Sequence, residues 1–165
     1  MAKHPAVGAQ APDFELEGTH GPFKLSDRRG EKVMLLFYPG DETSVCTKQF
    51  CAYRDNAQAF GALGVTAVGI SGKNVDSKRK FAAHNDLTVP LLADQDLSVA
   101  KAYDTYSGLV KSTKRSVIII DEQGDVVHRH DHALGLDFQT VADLKKALDG
   151  LPAMAQDAQA KNGAR

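Results

Sequence analysis

The sequence predicts an α/β domain, and three observations carry that reading. Three nearly unbroken apolar runs, Val33 to Tyr38, Val65 to Ile70 and Val117 to Ile120, are rich in β-branched or aromatic residues, as strands covered on both faces require. Between the first two the spacing changes: Cys46, Phe50, Tyr53, Ala57 and Phe60 lie three or four positions apart and so share one face of an α-helix. Strand, helix, strand in that order implies a right-handed parallel unit.

The remaining elements follow in chain order. Residues 1–11 read as an irregular lead-in. Phe14 and Leu16, then Phe23 and Leu25, alternate with polar residues on either side of Gly18-Thr19-His20-Gly21-Pro22, the pattern of a β-hairpin. The Cys46 helix is expected to open at that cysteine and run to about Leu63, where Gly64 stops it. A second helix covers about Val75 to His84, and Asp96 is placed to cap a short third one from Leu97 to Tyr103. The turn Asp121-Glu122-Gln123-Gly124-Asp125 joins Val117–Ile120 to Val126–Arg129 as an antiparallel pair. A last helix, capped by Asp137, carries Val141, Leu144 and Leu148 on one face and ends at Gly150-Leu151-Pro152. The expected organisation is one domain over residues 1–150, with a flexible tail over 151–165 that has little to bury.

Composition narrows the function classes. With 42% hydrophobic and 25% charged residues, a formal net charge of -1 and no run of like charge, the chain has neither the basic surface of a nucleic-acid binder nor that of an anionic-membrane binder. No apolar stretch approaches the ~20 residues of a transmembrane helix, and Met1-Ala2-Lys3-His4-Pro5 begins no signal peptide, so the chain reads as cytosolic. In a reducing cytosol a structural disulfide does not persist. The two cysteines, Cys46 and Cys51, therefore read as reactive, and without a C-x-x-C pair they suggest neither zinc nor a thioredoxin-type motif.

The stretch that holds them is built for sulfur chemistry. The first turn of a helix presents unpaired N–H groups and the positive end of its dipole, and both favour a thiolate over a thiol. An arginine beside the sulfur would add to this, because its charge is permanent and its donors form a planar fork. Arg115, just before the run Val117–Ile120, stands at a strand end, where parallel sheets gather their sites. Thr43, three residues before Cys46, is placed to cap the helix or to donate its hydroxyl to whatever the sulfur attacks. Pro39 fixes the exit from the preceding strand.

These residues together resemble the active-site signature of the peroxiredoxins: Pro39-x-x-x-Thr43-x-x-Cys46, preceded by Phe37-Tyr38 and followed by Thr47. Cys51, five residues on, makes the chain most similar to the bacterioferritin comigratory protein, or PrxQ, branch. The likeness runs from about Gly8 to Gly150 and takes in Val89-Pro90-Leu91-Leu92-Ala93-Asp94 and Lys114-Arg115-Ser116-Val117. Two features depart from that branch: Val45 stands where it commonly has a glycine, and the segment His128 to Phe138 ends differently.

The resemblance implies a thioredoxin fold, a central mixed sheet flanked by helices, and reduction of hydrogen peroxide or organic hydroperoxides without metal, flavin or haem. It implies Cys46 as the peroxidatic cysteine, Cys51 as the resolving one, Thr43 and Arg115 as the groups that polarise the peroxide, and Pro39 as the shield of the pocket. It also implies a monomer or weak homodimer re-reduced by thioredoxin or a glutaredoxin-like dithiol protein. Helix geometry adds a condition. Positions five apart in an α-helix have Cα atoms roughly 8.6 Å apart, whereas a disulfide tolerates at most about 7 Å. A Cys46–Cys51 bond would therefore unwind the segment from about Val45 to Tyr53.

Other readings weigh less. A peroxide-sensing switch or a thiol-dependent holdase would use the same cysteines, and a cysteine hydrolase would need a histidine that no motif places near Cys46. His128, His130 and His132 alternate along one strand face as metal ligands could, but Arg129 and Asp131 between them fit a solvated edge strand better. Gly69, Ser71 and Gly72 form no phosphate-binding motif.

Overall fold

Strands β1 (Glu15–Leu16) and β2 (Phe23–Lys24) pair antiparallel, Leu16 opposite Phe23, as the hairpin expected around Gly18–Pro22. The structure, a computed structural model of the chain, describes residues 3–132 and 138–151. A turn of 3-10 helix, Leu25–Arg28, leads into β3 (Val33–Phe37). There follow α1 (Ser44–Asp55), α2 (Ala57–Gly61), β4 (Thr66–Ser71), α3 (Val75–Asn85), β5 (Leu91–Ala93), α4 (Ser98–Ala102), β6 (Tyr106–Ser107), β7 (Ser112–Thr113), β8 (Ser116–Ile120), β9 (Val126–Asp131) and α5 (Val141–Asp149). The central sheet is mixed, in the order β5-β4-β3-β8-β9. β3 and β5 run parallel to β4, while β8 is antiparallel to both β3 and β9. The three apolar runs are its three inner strands.

Because successive strand residues point to opposite faces, β3 divides the core in two. Val33, Leu35 and Phe37 pack with Val68, Ile70, Ile118 and Ile120 beneath the N-terminal hairpin and α4, with Phe23, Val99 and Tyr103 above them. Met34, Leu36 and Tyr38 pack with Val117 and Ile119 beneath Cys46, Phe50 and Tyr53 of α1, Phe81 of α3 and Leu144 of α5. The second face is the one that carries both cysteines' helix. Gly69 of β4 admits it closely: a Cβ there would stand 3.0 Å from the Phe50 ring and 2.8 Å from Leu91.

Several boundaries differ from the sequence reading. The first long helix starts at Ser44, two residues before Cys46, and breaks at Asn56. Asn56 adopts φ -112° and ψ 37°, and both its backbone N–H and its side-chain amide donate to the Ala52 carbonyl, so side chain and backbone compete for one acceptor. The break takes Ala57 off the stripe and leaves it exposed, while Phe60 still stacks on Tyr53 at 4.9 Å. Gly64, at φ +70°, closes the turn after α2.

Asp96 does not cap α4 alone. The N-cap is Leu97 at φ +60°, and the buried Asp94 carboxylate accepts from the N–H groups of Val99 and Ala100, while Asp96 accepts from Ser98. α5 is capped by Thr140 in a reciprocal box with Asp143 rather than by Asp137, which lies outside the described residues, as does the tail from residue 152. β9 extends two residues beyond Arg129, and β5 and the β6–β7 hairpin were not anticipated as strands.

Candidate active site

Helix α1 begins the site. Its first helical residues are Ser44, Val45 and Cys46, and the first intrahelical bond is given by the Thr47 N–H to the Thr43 carbonyl over 2.8 Å. The N–H groups ahead of Thr47 thus have no partner within the helix, and no acidic side chain occupies the first turn. Thr43 is the N-cap in extended conformation, but its hydroxyl does not accept from the helix as a capping threonine would; it donates to the Gly40 carbonyl over 3.1 Å. Glu42, at φ +64°, sits in left-handed backbone that disfavours a side chain, just before the cap.

Cys46 is fully buried on the face it shares with Phe50 and Tyr53, as its spacing predicts. Arg115 reaches it from the start of β8, with Nη2 donating to the Cys46 sulfur over 3.1 Å. Burying an arginine needs acceptors for its fork, and Gln49 supplies one: Arg115 Nη1 donates to Gln49 Oε1. Gln49 Nε2 then donates to the Tyr53 hydroxyl over 3.1 Å, and that hydroxyl donates to the Gln139 carbonyl over 2.7 Å. The direction of this chain is forced, because arginine can only donate. It holds the guanidinium plane against the sulfur.

Cys51 is half-buried on the flank of α1, and its thiol donates to Asn85 Oδ1 at the end of α3 over 3.6 Å. Arg54, three residues on, donates to the Asn85 carbonyl over 2.6 Å. Both cysteines are free and lie within one unbroken helix.

Beneath the loop from Pro39 to Thr43 lies a polar cluster that sequence reading missed. Lys78 of α3 is fully buried, with Nζ donating to Ser71 Oγ at 2.5 Å, the Gly72 carbonyl at 2.9 Å and Tyr38 Oη at 3.2 Å, and lying 3.4 Å from both oxygens of Asp41. Tyr38 and Ser77 hydroxyls donate to the same carboxylate over 2.6 and 2.7 Å. Burial pushes the Tyr38 hydroxyl well above its ordinary pKa, and the neighbouring Asp41 adds to this. A signal existed for Lys78 in this cluster and for Gln49 beside Arg115. Lys78 lies three before Phe81 on the apolar side of α3, and Gln49 lies between Cys46 and Tyr53 on the buried side of α1.

The histidine face is less solvated than the sequence suggested. Opposite Ile119 and Val117 in the ladder, His128 and His130 take the sheet face that carries Cys46. His130 is exposed, while His128 and His132 are partly buried. Burial pushes the His128 pKa down, and a charged His130 adds to this. Arg129 and Asp131 pair on the opposite face at 2.9 Å. Among the described residues no cluster of three or more His, Cys, Asp or Glu could hold a metal, and no helix is long and apolar enough to cross a membrane.

Residues 7–129 match the family model described as "AhpC/TSA family". Peroxiredoxin Bcp of Bacillus subtilis is 35% identical over 129 residues, covering 73% of this chain and 82% of that protein. Chloroplastic peroxiredoxin Q of Sedum lineare is 38% identical over 121 residues, 72% of this chain and 65% of that protein. Among solved structures, peroxidoxin BcpB of Mycobacterium tuberculosis superposes with a TM-score of 0.78 at 32% identity, covering 90% of this chain and 99% of that one. The mitochondrial 2-Cys peroxiredoxin of Plasmodium falciparum, at 21% identity and a TM-score of 0.82 over 93% of this chain and 98% of that one, shares the fold. The chain belongs to the AhpC/TSA family, with its similarities on the Bcp and peroxiredoxin Q side, and is a thiol peroxidase.

Proposed function

We propose that Cys46 is the sulfur that attacks the peroxide and that Cys51 resolves the product within the same chain. The observation that carries this is the contact of Arg115 Nη2 with the Cys46 sulfur in a buried first helical turn. A fixed cation and free N–H groups stabilise a thiolate, and a preorganised cation also stabilises charge that develops on the oxygen being displaced.

The Cys46 thiolate attacks one oxygen of the hydroperoxide and the O–O bond breaks. Sulfur is oxidised by two electrons to the sulfenic acid, and the other oxygen leaves as water or an alcohol after taking up a proton. The Cys51 thiol loses its proton and attacks that sulfur, the S–O bond breaks, water departs and a disulfide forms. Thiol–disulfide exchange with an external dithiol then restores both thiols.

Thr43, with its exposed N-cap position, is proposed to hydrogen-bond the incoming peroxide, and Pro39 to shield the sulfur from bulk water. Thioredoxin or a glutaredoxin-like protein is the proposed reductant, in the cytoplasm. Since one chain carries both cysteines, a monomer or weak dimer suffices.

Turnover of hydrogen peroxide with a thioredoxin system tests the assignment. Cys46→Ser is expected to abolish it, because a serine hydroxyl is not appreciably ionised at neutral pH. Turnover near that of the unaltered chain would overturn it, and peroxide reactivity without turnover of the reductant would favour a redox switch.

A further inference from the structure

We propose that Lys78 is a positioning residue of the thiol site: its ammonium clamps Asp41, and through Asp41 the loop Pro39–Thr43 that sets the first turn of α1 against Arg115. This rests on Cys46 being the attacking sulfur.

A fully buried lysine must find acceptors for all its protons, and Lys78 finds them in three places at once. Ser71 and the Gly72 carbonyl close β4, Tyr38 closes β3, and Asp41 comes from the loop itself. Asp41 lies two residues after Pro39 and two before Thr43, so its pair with Lys78 ties the middle of that loop to α3. The Asp41 side chain is only 2% exposed. The Tyr38 hydroxyl that donates to Asp41 also fixes a ring packed edge-on against Phe50, with centroids 4.9 Å apart, and Phe50 stands one turn after Cys46. The cluster therefore grips the polypeptide on both sides of the sulfur.

An ion pair buried for stability alone could be replaced by apolar side chains of the same volume, often at no loss. What such a replacement would not supply is a directional hold on a loop that otherwise carries a left-handed residue at Glu42. The charge of Lys78 is also poised to change: burial pushes its pKa down to about 8, while Asp41 acts upward. The groups facing it are Tyr38 of β3, Asp41 of the loop, Ser71 and the Gly72 carbonyl at the end of β4, Asp94 after β5, and Cys46 of α1, whose negative charge also favours the ammonium. Above that pH the clamp loses its ionic half, so oxidation of Cys46 should slow along an alkaline limb.

Stopped-flow oxidation of the reduced full chain by hydrogen peroxide, followed from about pH 6 to about pH 10, tests this with Lys78→Met and Asp41→Asn. Lys78→Met is expected to react roughly 10- to 100-fold more slowly at neutral pH and to lack the limb near pH 8. Asp41→Asn should move the limb to lower pH, because the carboxylate that favours the protonated amine is gone. Lys78→Met that is folded by circular dichroism and reacts at the native rate with the native pH profile would overturn the proposal. If that variant does not fold, an unmoved limb in Asp41→Asn would overturn it. Persistent turnover in Cys46→Ser would instead remove the underlying assignment, and that is read from a different variant.

Discussion

Arg115 Nη2 donates to the sulfur of Cys46 over 3.1 Å, joining residues 69 apart in the sequence, while Nη1 of the same guanidinium holds Gln49, one turn further along the cysteine's own helix. One fork therefore reads both the sulfur and the helix that carries it. Arg115→Ala is expected to slow the single-turnover oxidation of Cys46 by about 10²- to 10³-fold, the usual loss when one preorganised donor is removed from a site of developing charge. Arg115→Lys should restore only part of this, since an ammonium lacks the planar fork that spans sulfur and amide. An unchanged rate in Arg115→Ala, followed by stopped flow, would make the arginine a bystander.

Gly69→Ala is expected to strain the reduced protein. Its added methyl would press on the Phe50 ring at 3.0 Å and on Leu91 at 2.8 Å, an overpacking that typically costs about 1–3 kcal/mol. If Phe50 leaves its seat when the disulfide forms, the Leu91 contact strains both forms and only the reduced form bears the Phe50 share of this cost. The midpoint potential of the cysteine pair should then become more negative by an amount on the order of tens of millivolts. Titration against a dithiol buffer checks the sign, and an unchanged potential would mean that Phe50 stays seated in both forms.

Lys78 should leave a signature in stability. Its folded pKa, about 8, lies below the ordinary 10.5 because burial disfavours the charge. Between those values the unfolded chain binds a proton that the folded chain does not, so this group's contribution to folding becomes more favourable as pH rises through that window. Below it the burial penalty is fully present. Urea unfolding of the unaltered chain relative to Lys78→Met should show a gain with pH on the order of 3 kcal/mol at most. A difference that is flat across the window would contradict the lowered pKa.

Oxidation should unwind part of α1. With Cys46 and Cys51 in one regular helix, Ser44–Asp55, their Cα atoms stand too far apart for a disulfide, and the Cys51–Asn85 contact must be released. Amides from Lys48 to Tyr53 should lose hydrogen-exchange protection in the oxidised protein. Retained protection would exclude an internal bond between these cysteines.

The sheet and the buried face of α1 were legible because strand runs of β-branched residues and a three-then-four stripe are periodic signals that packing leaves intact, as Val117–Ile120 and Cys46-Phe50-Tyr53 illustrate. Local side-chain chemistry was harder to see. The break at Asn56 depends on where one amide donates, and the start of α5 at Thr140 depends on a box with Asp143 that competes with any acidic residue nearby. Arg115 is a candidate in the sequence by its strand-end position and is matched to the site by the family resemblance, because a contact between a strand end and a helix 69 residues away leaves no trace in spacing. Lys78 is hidden in the sequence for a different reason. A lysine on an apolar helix face is ordinarily a side chain that snorkels to water, and only the closure of Asp41, Tyr38 and Ser71 around it makes it a buried cation.

The most direct test of the account is the first covalent product. One equivalent of hydrogen peroxide added to the reduced Cys51→Ser chain, followed by a sulfenic-acid trap and peptide mass mapping, should label Cys46 alone, while the unaltered chain should instead lose two hydrogen atoms and yield a peptide with Cys46 bonded to Cys51. A label on Cys51 in the Cys46→Ser chain at a comparable rate, or a disulfide that joins two chains rather than one, would contradict it.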